Sequence, residues 1–146
     1  MPTPNSRKLN LNQEEVSRYS RHLTLPEIGL SGQKKLKASS VLCVGAGGLG
    51  SPVLLYLAAA GIGRLGIMDF DVVEDSNLQR QIIHGTSWVN KPKTASAQAR
   101  IHETNPFCEV KIFEDRLTTS NALNIINEFD LVCDCTDNFP SRYLIN

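Results

Sequence analysis

The chain has 146 residues, enough for one domain with one buried core. Apolar residues make up 41% and charged residues 21%, a balance typical of a globular protein. Fifteen basic residues offset fifteen acidic ones, so the bulk charge gives no reason to expect a nucleic-acid partner or an anionic membrane surface.

Met1 to Leu11 is a polar, proline-containing arm with no secretory signal, expected to be disordered at its start. Asn12 with Glu15 three residues later predicts a capping box, opening a short helix through about His22. Pro26, Gly29 and Gly32 punctuate a loop, and GQKKLKAS reads as one or two helical turns with an exposed basic face. From Ser39 the pattern changes. SSVLCVGAG is a continuous apolar run, as expected for a strand buried on both faces. GLGSPVLLYLAAAGI predicts a helix ended by Gly61 and Gly63. Within it, Pro52 to Ile62 is the longest apolar run and is too short to cross a bilayer, so no membrane association is expected.

RLGIMDFD reads as a second buried strand. The polar segment DVVEDSNLQRQIIHGTSWVNKPK comes next, with no clear period. Thr94 to Thr104 has helix-forming composition and stops before Asn105-Pro106. CEVKIFED predicts a third strand, Asn121 to Phe129 a helix, DLVCDCTD a fourth strand, and NFPSRYLIN the start of another helix. Strands alternating with helices imply an α/β fold with a parallel sheet and right-handed crossovers. Ligands then belong at the carboxyl ends of the strands. The last helix has barely begun at Asn146 and four strands make a small sheet, so the chain reads as the amino-terminal part of a longer protein. Cys43, Cys108, Cys133 and Cys135 form no C-x-x-C pair; reduced, buried thiols are expected and a zinc site among them is not.

VLCVGAGGLGSP holds the densest chemistry. Gly45, Gly47 and Gly50 satisfy G-x-G-x-x-G between a strand and a helix. Such a turn brings backbone N–H groups and a helix amino terminus to a phosphate. Asp69 and Asp71, in MDFD, lie at the spacing of a ribose-binding carboxylate, with Asp69 the better placed. Glycine turn and acid leave NAD, FAD and ATP all open. The long polar segment discriminates among them: Asn77, Arg80, Gln81 and Lys93 lie in or beside a connection far longer than α/β units usually need. Arg clamps a phosphate bidentately and Lys acts on it as a point charge, which suits the extra phosphates of ATP. An NAD-dependent oxidoreductase has no use for that set. Asp137, in CDCTDN, falls at the carboxyl edge of the sheet, where a carboxylate can hold Mg²⁺ or cap a helix.

Taken together, RYSRHLTLPEIGLSGQKKL, VLCVGAGGLGSP, GIMDFDVVEDSNLQRQ, NKPK and DCTDNFPSRYLIN resemble the adenylyltransferases of the ubiquitin-activating superfamily. Within it they look most like the molybdopterin-synthase and thiamine-biosynthesis sulfur-carrier adenylyltransferases. The resemblance runs from about Arg18 to Asn146. It implies a Rossmann-like parallel sheet with flanking helices, an amino-terminal arm with helices over residues 1–38, and the first part of an ATP-binding adenylation domain over residues 39–146. It also implies a cytoplasmic homodimer that adenylates the carboxy-terminal Gly-Gly of a small ubiquitin-like sulfur-carrier protein, using MgATP. A sulfur-donor protein later converts the adenylate to a thiocarboxylate.

By matching motif, Gly45, Gly47, Gly48 and Gly50 frame the nucleotide, and Asp69 holds the ribose. Asn77, Arg80 and Lys93 contact phosphates, and Asp137 binds Mg²⁺. Arg21, in RYSRH, matches an arginine supplied across the dimer interface to the partner's ATP. The family's paired C-x-x-C zinc ligands, the rest of the sheet and any rhodanese-like domain are expected later than Asn146. A relative acting on a small molecule or a tRNA base would carry the same ATP site; a non-catalytic fragment or partner subunit is the other alternative, and retention of the ATP residues argues against a partner subunit.

Overall fold

The computed structural model describes residues 10–146. The predicted arm at Met1 to Leu11 therefore falls almost wholly outside the described residues. Three short helices open the chain: α1 (Gln13–Arg18), α2 (Ser20–Leu23) and α3 (Gly29–Ala38). The capping box is formed. Asn12 Oδ1 accepts the Glu15 N–H and the Glu15 carboxylate accepts the Asn12 N–H, both at 2.8 Å. Glu15 is buried because Lys37 reaches it at 2.6 Å, which joins α1 to α3. The expected single helix to His22 breaks at Tyr19, where the backbone leaves helical geometry. Tyr19 is instead driven into the core, and its hydroxyl accepts the Asn105 side-chain N–H at 2.7 Å.

The α/β unit comes next: β1 (Ser40–Val44), α4 (Gly50–Ala60), β2 (Arg64–Met68), α5 (Lys93–Thr104), β3 (Glu109–Phe113), α6 (Ala122–Ile126), β4 (Leu131–Asp134) and α7 (Phe139–Ile145). The strands are all parallel, in the order β3-β2-β1-β4. The architecture is Rossmann-like. Alternation along β1 shows why its sequence is apolar throughout. Val41 and Cys43 pack with Leu54, Ala58, Ala97 and Ile101 of α4 and α5. Leu42 and Val44 pack on the opposite face with Ala122, Ile125 and Leu144 of α6 and α7. The strand order reverses between β1 and β4, since β2 and β3 are laid down on one side of β1 and β4 on the other. A crevice at the carboxyl ends of the strands is expected at such a switch point.

Gly29 and Gly32, read as loop punctuation, instead lie in α3, which runs ten residues. The long polar segment, which shows no clear period in the sequence, contains 3-10 turns at Asp75–Asn77 and Thr86–Trp88. Its two ends are zipped together by Val73 N–H to the Lys91 carbonyl (2.9 Å), Asn90 N–H to the Val73 carbonyl (2.8 Å) and Lys93 N–H to the Asp71 carbonyl (3.0 Å). The cysteines are also less uniform than expected. Cys43 and Cys108 are buried, whereas Cys133 and Cys135 are only half-buried, because β4 is an edge strand. Among the described residues no helix is long and apolar enough to cross a membrane.

Candidate functional site

The turn after β1 is shaped by two close approaches. Gly45 has φ +104°, and a Cβ there would lie 2.7 Å from the Cys135 carbonyl oxygen. A Cβ at Gly50 would overlap the Gly45 carbonyl oxygen, so only glycine lets α4 start this close to β1. Among the described residues no side chain caps α4. Within the first turn the Ser51 N–H donates to the Gly47 carbonyl at 2.9 Å and Pro52 has no N–H, so the Gly50 N–H, at the positive end of the helix dipole, is the first-turn donor left for an anion among the described residues.

A crevice of about 600 Å³ opens over this turn. Gly45, Gly47 and Gly48 line it with Asp69, Asp71, Arg80, Gln81, Lys93 and Asp137. Each arrives by its own element. Asp69 ends β2; one carboxylate oxygen accepts the Ala46 N–H (2.8 Å) and the other the Asp71 N–H (2.9 Å). Both oxygens keep a further lone pair for a ribose hydroxyl. The zipped loop places Arg80 across Gly48, whose Cβ position is 3.9 Å from the Arg80 side-chain stem, and Gln81 beside Gly47. Gln81 is 5% exposed, and its Oε1 has no hydrogen-bond partner among the described residues. Lys93 opens α5, is buried, and sits 3.4 Å from the half-exposed Asp71 carboxylate.

Three expected site residues do not line the crevice. Gly50 lies behind it, acting through helix–strand packing. Asn77 is buried within the loop, and its Oδ1 accepts the Glu74 N–H at 2.9 Å; it shapes the loop that carries Arg80. Arg21 is exposed on α2.

The crevice also holds residues that the sequence did not announce. Phe70 and the Arg116 guanidinium stack at 3.8 Å across its mouth, and Leu117 and Thr118 continue that wall. Arg116, Leu117 and Thr118 come after β3, so the carboxyl-end rule could have found them. His84 is harder to see in the sequence. It is buried, with Nε2 2.7 Å from the Ala46 carbonyl and Nδ1 2.8 Å from Ser96 Oγ. A carbonyl only accepts, so Nε2 carries the proton and Nδ1 accepts from Ser96. The ring is a neutral strut between the glycine turn and α5, the helix that carries Lys93.

Burial first, then the nearby Lys93 ammonium, lowers the His84 pKa; the Ala46 carbonyl and Asp69 oppose this. Below about pH 6.5 the unfolded chain therefore takes a proton that the folded one resists, and stability falls with acidification from there. Urea unfolding between about pH 5.5 and 7.5 is expected to show this slope, and His84→Gln to flatten it. An unchanged slope in His84→Gln would remove the assignment.

The donor set suits a hard cation held mainly by a nucleotide. Magnesium needs one or two carboxylates beside substrate phosphates and water. Asp137 is exposed on the crevice wall and accepts no protein hydrogen bond among the described residues. A protein-built metal cage is a different matter: no group of three or more His, Cys, Asp or Glu able to hold a metal occurs among the described residues.

The chain is similar to known proteins in sequence and in fold. The chain is 56% identical over 136 residues to a probable adenylyltransferase/sulfurtransferase MoeZ of Mycobacterium tuberculosis, covering 93% of this chain and 35% of that protein. It is 52% identical over 134 residues to a sulfur carrier protein adenylyltransferase of Thermus thermophilus, covering 92% of this chain and 49% of the relative. The chain thus spans between a third and a half of these two relatives. Among solved structures, E. coli tRNA N6-threonylcarbamoyladenosine dehydratase TcdA in complex with ATP matches with a TM-score of 0.88 and 26% identity, over 93% of this chain and 56% of that one. The ThiF family model matches residues 19–146. With the glycine turn, the cation-bearing loop and the CTDN edge gathered at one switch point, that match places the chain in the ThiF family.

Proposed function

We propose that this chain is the ATP-binding part of an adenylyltransferase that activates the carboxy-terminal glycine of a ubiquitin-like sulfur-carrier protein. One observation carries the reading: Arg80 and Lys93, distant in sequence from the glycine turn, face it across a single crevice. The substrate carboxylate is itself the nucleophile, so the chain need only position ATP and the carrier tail and stabilise charge. In this reading the α4 amino terminus, Gly47 and Gly48 take the phosphates, and Asp69 takes the ribose. Arg80 and Lys93 stabilise charge at the transferring phosphate. Asp137 would hold Mg²⁺ together with the nucleotide, and the ion would supply positive charge against the phosphates.

The names of the relatives support the carrier as substrate, and the ATP complex of TcdA supports the nucleotide. Molybdenum-cofactor and thiamine pathways both use such carriers. We assign residues 1–38 to an arm with helices and residues 39–146 to the adenylation domain. A cytoplasmic setting is in keeping with four unpaired cysteines. A structural zinc site, a sulfur-donor partner and a rhodanese-like region belong to this proposal only for parts of the whole protein outside this chain.

Calorimetric titration with MgATP and, separately, with NAD⁺ tests the nucleotide. MgATP binding without NAD⁺ binding, weakened by Arg80→Ala, is expected; the reverse pattern would make the crevice a dinucleotide site. We further propose a homodimer in which Arg21 serves the neighbouring subunit's crevice, because it lies outside its own. Mixing Arg21→Ala and Asp137→Ala proteins is then expected to restore part of the activity through hybrid sites. No recovery despite demonstrated subunit exchange would reject the cross-subunit role.

A further inference from the structure

The turn between β4 and α7 presents Asp137 to the crevice, and the residues on both sides of it are tied down. The Cys135 N–H donates to the Val44 carbonyl at 2.9 Å, which continues the pairing beyond β4. The Thr136 N–H (3.0 Å) and hydroxyl (2.6 Å) both donate to one oxygen of the Asp134 carboxylate. On the far side Asn138 opens α7, and its Oδ1 accepts the Ser141 N–H at 3.0 Å. Asp137 itself is exposed, and its carboxylate accepts no hydrogen bond among the described residues. No side-chain contact holds that carboxylate, so the backbone alone sets its direction.

One peptide plane decides that direction. The Thr136 carbonyl and the Asp137 N–H move as a unit. The N–H makes no hydrogen bond among the described residues, so the carbonyl is the group by which the plane can be gripped. Arg142 grips it: Nε (3.2 Å) and Nη2 (2.9 Å) both donate to the Thr136 carbonyl oxygen. Arg142 lies in the last turn of α7 and reaches back over the first, the way helical side chains lean. Among the described residues the guanidinium forms no ion pair, so its contacts go to this carbonyl alone. Pro140 and Ser141 line the crevice, whereas Arg142 does not.

We propose that Arg142 is the positioning residue of Asp137: by locking the Thr136–Asp137 peptide it aims the carboxylate into the crevice, and so sets how much Mg²⁺ strengthens ATP binding. This role rests on the magnesium reading of Asp137. Arg142 acts through the backbone and touches neither nucleotide nor metal. A charged, planar donor suits the task, since its two N–H groups converge on one carbonyl and it keeps its proton at any working pH. Loss of the guanidinium frees the peptide to rotate. The carboxylate then samples directions away from the phosphates, and the metal gains less from it. Contacts made by the nucleotide with the glycine turn, Arg80 and Lys93 do not run through this peptide.

Calorimetric titration of the whole protein with ATP in EDTA, and again with ATP in excess Mg²⁺, separates metal-dependent from metal-free binding. Mg²⁺ is expected to tighten wild-type binding about tenfold, and Asp137→Ala to remove most of that gain. Arg142→Ala should cut the gain to about threefold or less while leaving metal-free ATP affinity within about twofold of wild type. A merely structural role would weaken both titrations together. Arg142→Lys, which keeps one charged donor for the carbonyl, should recover part of the gain. Arg142→Met keeps the apolar stem without a donor and decides the matter if the alanine variant does not fold. A full wild-type gain in Arg142→Ala or Arg142→Met would overturn the proposal. So would a large loss of metal-free ATP affinity, which would make Arg142 a phosphate contact. No gain from Mg²⁺ in the wild type would reject the magnesium reading of Asp137 first, and the positioning role with it.

Discussion

Replacing Arg80 with alanine is expected to slow carrier-dependent ATP–pyrophosphate exchange by the whole protein about 10²- to 10³-fold. Arg80 is exposed, and its guanidinium donates to the Ser76 carbonyl at 3.2 Å. The fold has little to lose with that side chain, and far-UV circular dichroism and the unfolding midpoint should stay near wild type. The loss should appear in kcat, because the interaction is strongest once charge develops on the phosphate being transferred. Arg80→Lys is expected to recover only part of the rate, since an ammonium lacks the bidentate fork. Exchange at near wild-type rate in Arg80→Ala would show that the guanidinium over the turn is not a phosphate ligand.

Gly50→Ala is expected to destabilise the chain by about 3 kcal/mol or more, or to prevent folding outright. The reason is steric. The added Cβ would overlap the backbone carbonyl oxygen of Gly45, and no side chain can rotate away to relieve it. Gly48→Ala is the matched control: a Cβ at position 48 meets only the Arg80 stem at 3.9 Å, an ordinary contact. Denaturant unfolding of the two variants should separate them clearly. Equal stability would mean that α4 does not start against the turn as described.

These two effects mark different kinds of legibility. The apolar runs at Val41 to Val44 and Leu65 to Met68 read as strands because a parallel strand buried on both faces has no polar side to show. The capping box at Asn12 and Glu15 was readable because its partners lie within one helical turn. The glycine turn was readable because its spacing reports a backbone requirement that few other residues meet. Expectations failed where distant groups decide. Tyr19 interrupts the first helix because Asn105, far along the chain, holds its hydroxyl. The segment from Asp71 to Lys93 has no period because it is closed by bonds between its ends rather than by a local repeat.

The candidate site divides the same way. The residue types at Gly45, Gly47, Asp69, Arg80, Lys93 and Asp137, in their order, already carried the expectation of a phosphate site and the family resemblance. Their convergence was a tertiary result. Asp71 and Lys93 meet because the loop ends zip, and Arg80 reaches the turn because Asn77 braces that loop from within. His84 was invisible in the sequence because its partners, the Ala46 carbonyl and Ser96, come from two other elements. Local backbone preference and side-chain periodicity are short-range and can be read along the chain. Which buried polar group finds which partner depends on packing between elements, and only the folded chain brings those partners into hydrogen-bonding range.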